Sequence, residues 1–233
     1  MQGEERPPTA SSNPLSGITD ANNEQAQEFP MTPASVAYAL NILDEERRAL
    51  RSRDNDVFSA LVQLHSDHEE LVADLSKVIT YMCKLQAPEL VMISFAIELD
   101  RFVLRRKAQR KENKQTKPSQ GLARDLRFVS SFVQHINHVL LNTEEATDLR
   151  RSLKDCIAIR EDTEPHHQRS RLFYILLYSF SHNIASTLSL CLWAGAYKTA
   201  YMLLNFLDPL DISLVSLLEI DRLVEMLERP LFR

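Results

Sequence analysis

The sequence predicts an all-α protein, a HEAT-like α-solenoid of antiparallel helix pairs with a disordered N-terminal tail. Three observations lead there. Only four glycines occur in 233 residues, too few for the turns of β-sandwiches or for glycine loops that cradle nucleotides. Leu, Ala, Glu, Lys, Arg and Gln, which enter helices at little cost, predominate. Apolar residues recur at helical spacing without strand-like alternation. Helix pairs about 40 residues apart suggest HEAT-type stacking, although no repeat is crisp.

Residues 1–33 carry Pro7, Pro8, Ser11, Ser12, Pro14, Asn22, Asn23, Pro30 and Pro33 with few large apolar residues. Such a segment cannot bury enough surface to offset ordering entropy, so a disordered tail is expected. A helical region follows over 34–117. Val36, Leu40, Leu43 and Leu50 share a face of a helix over 34–53. Asp54-Asn55-Asp56 can cap a short helix carrying Val57, Phe58, Leu61, Val62 and Leu64. Ser66 or Asp67 is expected to start the next, with Leu71, Leu75, Val78, Ile79, Met82 and Leu85. Pro88 suits the first turn of a helix reaching about Lys111, where its missing N–H costs little. Leu90, Val91, Met92, Ile93, Phe95, Ile97, Leu99 and Phe102 point all round it, so it is the expected central helix.

The dense charge run Arg105-Arg106-Lys107, Arg110-Lys111, Lys114, Lys117 has two readings. One is contact with anionic lipid, worth about 1 kcal/mol per cation at a charged surface. The other is a solvated helix end and linker whose cations complement the helix dipole. No aromatics interleave the run, which gives single-stranded nucleic acid no support. Pro118 and Gly121 are read as closing this linker and opening a second region over 118–233.

In that region Phe128, Val129, Phe132, Val133, Ile136, Val139 and Leu140 share one face of a helix over 122–141. Arg124, Arg127, Ser131, His135 and His138 fall on the other. Thr143 is the expected cap of the next helix, with Leu149, Leu153, Cys156 and Ile157 inward, and 160–169 reads as a loop. From Leu172 to Tyr197 only His182 can ionise, a length that raises a membrane span. Ser179, Ser181, His182 and Asn183 in its middle argue against one, because a bilayer leaves such groups unpaired. Two packed helices joined at Ser181-His182-Asn183, with Asn183 as cap, are expected instead.

Catalytic chemistry is sparse. His65-x-x-His68 and His135-x-x-His138 lack the further ligands that zinc requires and read as surface histidines. Cys191 sits in an apolar run and reads as a packing thiol, and no GxSxG, HExxH or glycine-rich phosphate loop occurs. No catalytic residue, cofactor or metal is assigned. Three well-separated cysteines suit a reducing compartment, and a net charge of −5 exerts no general pull on nucleic acid. The N-terminus has no basic start followed by an apolar core, so no secretory signal is expected.

One feature points to association, and a second asks for a partner. Trp193, Tyr197, Tyr201, Met202 and Phe206 exceed what one hairpin can bury. In the final helix Asp221, Arg222, Glu225 and Glu228 form a polar stripe, while Glu219 falls among Ile212, Val215, Leu223 and Met226. A carboxylate there needs a partner. Lys198, Tyr197, His182 or Trp193 can serve within the domain, or another chain can supply one.

Several motifs now fall in a recognisable order: Leu172-Phe173-Tyr174, Ser181-His182-Asn183, Ser189-Leu190-Cys191-Leu192, Tyr197-Lys198-x-Ala200, Leu218-Glu219-Ile220-Asp221-Arg222-Leu223-Val224 and Glu228-Arg229-Pro230-Leu231-Phe232. With Asp125-Leu126-Arg127-Phe128-Val129 and Asp148-Leu149-Arg150 further back, the region resembles the C-terminal domain of the vacuole-morphology HEAT-repeat scaffold, the Vac-fourteen family. Ile184 stands where that family usually has proline. Family members also carry long N-terminal repeats and helices beyond the Pro-Leu-Phe motif, so the resemblance covers the C-terminal region alone.

The resemblance implies a non-catalytic scaffold of the phosphatidylinositol 3-phosphate 5-kinase and its opposing Sac-type phosphatase, peripheral on the cytosolic face of endosomal, lysosomal or vacuolar membranes. It implies self-association and phosphatase binding through this domain. The interface candidates are His182, Asn183, Trp193, Tyr197, Tyr201, Phe206, Glu219, Asp221, Leu223, Pro230 and Phe232. The alternative is a generic helical adaptor that meets anionic membrane through Arg105, Arg106, Lys107, Arg110 and Lys111.

Overall fold

A computed structural model describes residues 56–112, 118–154, 156, 164–207 and 214–228, together with 41, 44, 45 and 48. The expected tail over 1–33 and most of the expected helix over 34–53 lie outside the described residues. The described residues are helical and contain no strand. In chain order the helices are α1 (Asp56–Asp67), a 3₁₀ segment (Glu69–Asp74), α2 (Leu75–Leu85), α3 (Pro88–Glu112), α4 (Pro118–Asn142), α5 (Thr147–Leu153), α6 (Glu164–Phe180), α7 (Ile184–Trp193), α8 (Tyr197–Phe206) and α9 (Leu214–Leu227).

Two layers organise them. α1, α3 and α6 pack in succession as one layer, and α2, α4, α7 and α9 as the other. Short connections tie the layers, so α2 packs on α3, α3 on α4 and α6 on α7. Each element meets only near neighbours, as in an α-solenoid, and the short α5 is an insertion against α4 and α6. One buried cluster runs from Phe58 and Val62 through α3 and α4 to Leu190 and Leu223. It crosses the boundary expected near 117/118, because α3 packs on both α4 and α6.

α3 is the central helix, as its apolar pattern required, and every residue from Val91 to Asp100 is buried. Phe95 and Phe132 lie 5.3 Å apart between ring centres, and Phe58, Phe102 and Phe128 extend this aromatic core. Burial includes Glu98, which Arg101 and Arg105 answer from the next turns of the same helix. A buried carboxylate requires such partners.

Several expectations need correction. α1 runs through Asp67, so neither Ser66 nor Asp67 starts a helix; the 3₁₀ turn intervenes and α2 begins at Leu75. His65 is buried, its Nδ1–H donating to the Leu61 carbonyl at 2.8 Å. α4 begins at Pro118 and takes Gly121 into its second turn, so these residues are helix rather than linker. Thr143 does not cap α5: its hydroxyl donates back to the Val139 carbonyl at 2.8 Å, and Ala146 holds the cap position with no side-chain bond. α6 starts at Glu164, with Pro165 in its first turn, inside the stretch expected as a loop.

Candidate protein-interaction surface

The α6–α7–α8 corner is built from local chemistry. Ser181-His182 turns the chain, and Asn183 caps α7 by accepting from the Ser186 N–H at 2.8 Å. Its amide donates to Ser130 Oγ at 3.0 Å, tying the cap to α4. α7 is buried from Ala185 to Cys191. That enclosure explains an uncharged sequence without a bilayer, and no helix among the described residues is long and apolar enough to cross a membrane. At its far end Gly195 takes φ +75°. The Ala196 N–H bonds the Cys191 carbonyl at 2.8 Å and the Gly195 N–H the Leu192 carbonyl at 3.3 Å. This pair of bonds is a Schellman motif, and it sets the direction of α8.

α8 packs on α7 and turns Thr199 and Ala200 inward. Tyr197, Tyr201 and Leu204, at i, i+4 and i+7, line its outer face and are 63%, 67% and 50% exposed. Phe206 stands at its C-terminal end, 82% exposed. α9 buries Leu223 against the core and turns Leu214, Leu217, Leu218 and Val224 outward. Its outer face is apolar in the first half and carries Asp221, Glu225 and Glu228 in the second, all exposed. Exposed leucines and aromatics of this kind mark association surfaces.

The remaining candidate residues fall in different settings. His182 is half-buried, and burial pushes its imidazole below the ordinary range, with the charge of Asp100 acting the other way. Trp193 is half-buried, its indole N–H donating to the Arg150 carbonyl at 2.9 Å. Glu219 lies within α9, but its side chain, like Pro230 and Phe232, is outside the described residues. Leu204, Leu214 and Leu217 were not singled out from sequence, and Leu218 was read as part of a motif and not as an interface residue. Leu204 was within reach, since it repeats the spacing of Tyr197 and Tyr201.

Carboxylates meet much of the basic run. Arg105 reaches Glu98, and Arg106 reaches Asp67 at 3.6 Å while its guanidinium lies 5.2 Å from the Phe102 ring centre. Arg110 pairs with Asp125 and donates to the Gly121 carbonyl at 3.1 Å. These arginines clamp α3 to α1 and α4. Lys107 is exposed, and the Lys111 side chain is outside the described residues. All three cysteines are free and buried, and burial together with the Glu145 charge pushes the Cys83 thiol up to about 11. Among the described residues no group of three or more His, Cys, Asp or Glu is placed to hold a metal ion.

Comparison with known proteins places this region in a family. Residues 68–233 match a family described as "Vacuolar protein 14 C-terminal Fig4p binding". A protein of Arabidopsis thaliana named "Protein VAC14 homolog" is 36% identical over 108 residues, which cover 46% of this chain and 14% of that protein. A Schizosaccharomyces pombe protein of the same name is 30% identical over 108 residues, covering 46% of this chain and 12% of its own length. The Saccharomyces cerevisiae "Vacuole morphology and inheritance protein 14" is also 30% identical over 108 residues, covering 46% of this chain and 11% of its own length. The matched stretch is thus a small part of each relative. No solved structure matches.

Proposed function

Because the chain belongs to the family of vacuolar protein 14 C-terminal Fig4p-binding domains, we propose that it is a non-catalytic scaffold or regulatory subunit. On this reading it serves the complex of the phosphatidylinositol 3-phosphate 5-kinase and its opposing Sac-type phosphatase. It holds the phosphatase and other copies of itself through the outer faces of α8 and α9. It works peripherally at the cytosolic face of endosomal, lysosomal or vacuolar membranes, and catalysis belongs to the bound enzymes.

The observation that carries this reading is the family match over 68–233, a region that contains the whole α8–α9 surface. The exposed Tyr197, Tyr201 and Leu204 on one face of α8 and the exposed Phe206 at its end support it, because aromatic side chains are frequent anchors of protein interfaces. The test mixes the purified full chain with the purified Sac-type phosphatase and follows mass by light scattering on a sizing column. A stable complex that also contains more than one copy of the chain supports the assignment. A monomer that leaves the phosphatase free overturns it.

A further inference from the structure

α3 and α4 form a hairpin that outruns the helices packed on one of its sides. Phe102 meets Phe128 with ring centres 5.2 Å apart, Arg106 lies 4.0 Å from Asp125, and Arg110 donates to the Gly121 carbonyl. The two helices are thereby antiparallel in a fixed register. Their α1 side is occupied, since Arg106 reaches Asp67 and Arg124 reaches Glu69. On the opposite side sits the α6–α7 corner. It meets α3 at Asp100, whose charge acts on His182, and α4 at Ser130, whose hydroxyl accepts from the Asn183 amide at 3.0 Å. α6 ends at Phe180 and α7 begins at Ile184. Among the described residues, no helix covers that side of α3 beyond Asp100 or of α4 before Ser130.

The rows that seat the corner continue along this uncovered side. Leu104 and Lys107 follow Asp100 at i+4 and i+7, while Arg127, Leu126 and Leu122 precede Ser130 at i−3, i−4 and i−8. The register brings Leu104 level with Leu126, and Lys107 between Leu122 and Leu126. Leu104, Leu122 and Leu126 are 48%, 43% and 39% exposed. Lys107 and Arg127 are exposed, and neither meets a carboxylate among the described residues. Glu98 and Asp125, the acids close by on the same helices, answer Arg101, Arg105 and Arg110 instead. This face thus sets three aliphatic side chains beside two unanswered cations.

We propose that this face of the α3–α4 hairpin rests on a bilayer containing anionic lipid, with Lys107 and Arg127 among the headgroups and Leu104, Leu122 and Leu126 at the acyl boundary. Composition selects lipid over protein. Protein interfaces are anchored by aromatic residues and depleted in lysine, whereas these five positions include a lysine and no aromatic. Leucines beside long cationic stems suit a headgroup layer, where the stems lie along apolar surface and the charges reach the lipid anions. Near a charged leaflet each cation strengthens binding roughly fivefold, about 25-fold for the pair. Of the basic run, Arg106 and Arg110 are turned to α1 and α4, so the contact rests on Lys107 and on Arg127, which lies outside the run. This face is separate from α8 and α9, and the inference holds with no phosphatase bound.

The experiment is cosedimentation of the purified full chain with vesicles of phosphatidylcholine alone and of equal parts phosphatidylcholine and phosphatidylserine, followed by hydroxyl-radical footprinting of the bound chain. Binding to the mixed vesicles should exceed binding to phosphatidylcholine at least about tenfold, and Lys107→Gln with Arg127→Gln should remove most of that difference. Arg151→Gln with Lys154→Gln neutralises two exposed cations at the other end of α4 and should change it less than about threefold. In the unsubstituted chain the mixed vesicles should shield Leu104, Leu122 and Leu126 while Tyr197 and Tyr201 stay reactive. The proposal is overturned by no preference for the mixed vesicles, by a Lys107/Arg127 variant that keeps its binding within about threefold, or by shielding of α8 in place of the three leucines. Leucines already shielded without lipid assign the face to another copy of the chain, and leucines shielded by the purified Sac-type phosphatase alone assign it to a protein; either result also overturns it. Footprinting needs no variant, so a poorly folded Lys107/Arg127 protein leaves the test decisive. A chain that binds the mixed vesicles and leaves the phosphatase free fails the scaffold assignment alone.

Discussion

Phe206 is where the proposed interface is most exposed to test. The side chain stands at the end of α8 with 82% of its surface in water, whereas Thr199 and Ala200 hold the helix to α7. Removing it should leave the fold intact, within about 0.5 kcal/mol. An aromatic side chain buries about 150–250 Å², so covering most of Phe206 removes on the order of 150 Å² from water. At about 25 cal/mol per Å² that is about 3–4 kcal/mol. Ordering costs at an interface reduce this to about 2–3 kcal/mol, or roughly 30- to 150-fold in affinity. The assay measures Phe206→Ser by biolayer interferometry against the Sac-type phosphatase and by light scattering for self-association, with the thermal melt as control. A companion variant adds Tyr197→Ser and Tyr201→Ser. If this triple variant melts normally and keeps both associations within about threefold, the α8 face is not the contact and the argument from exposure fails.

Four further outcomes follow from the packing. Phe132→Ala, which removes the hub of the aromatic core, should cost about 3–5 kcal/mol in urea unfolding, and a loss below about 1 kcal/mol would contradict the packing described. Gly195→Ala should cost about 1 kcal/mol through its backbone alone, because no atom lies within 4 Å of the added methyl. Asn183→Ala loses both the α7 cap and the bond to Ser130, and a fall of about 1–2 kcal/mol is expected, checked by the urea midpoint. His135 and His182 are both held low by burial, so the unfolded chain takes up their protons first. Stability should thus be full above the unfolded imidazole value of about 6.5 and decline as pH falls through it, with a urea midpoint lower at pH 5.5 than at 7.5. An unchanged or higher midpoint at the lower pH would show that this burial is absent.

Much of the architecture was written in short-range signals. Helix class followed from 3.6-residue periodicity, the start of α3 from Pro88, and the α7 cap from an asparagine before an apolar run. The exposed aromatics of α8 were legible as an excess of large side chains over the partners available to bury them. These depend on neighbours within a turn or two, which a sequence displays directly.

Long-range pairing decided the rest. Thr143 carries the composition of a cap, yet its hydroxyl bonds back to Val139, and the chain turns three residues later, where Arg150 gathers the Leu140 and Thr143 carbonyls. The run from Arg105 to Arg110 looks like a free cationic patch until α1 and α4 bring Asp67 and Asp125 against it. Asn137 and Arg222 are separated by most of the C-terminal region, and only the packing of α4 and α9 on α7 sets them around one cleft. By itself, then, the sequence determined that the chain is helical, where α3 and α7 begin, and that apolar surface is left over near its end. Which charges are paired, and which side chains gather around one cleft, was decided by the stacking of the helices. Periodicity is local, whereas the electrostatic surroundings of a side chain are set by whichever helix comes to lie against it.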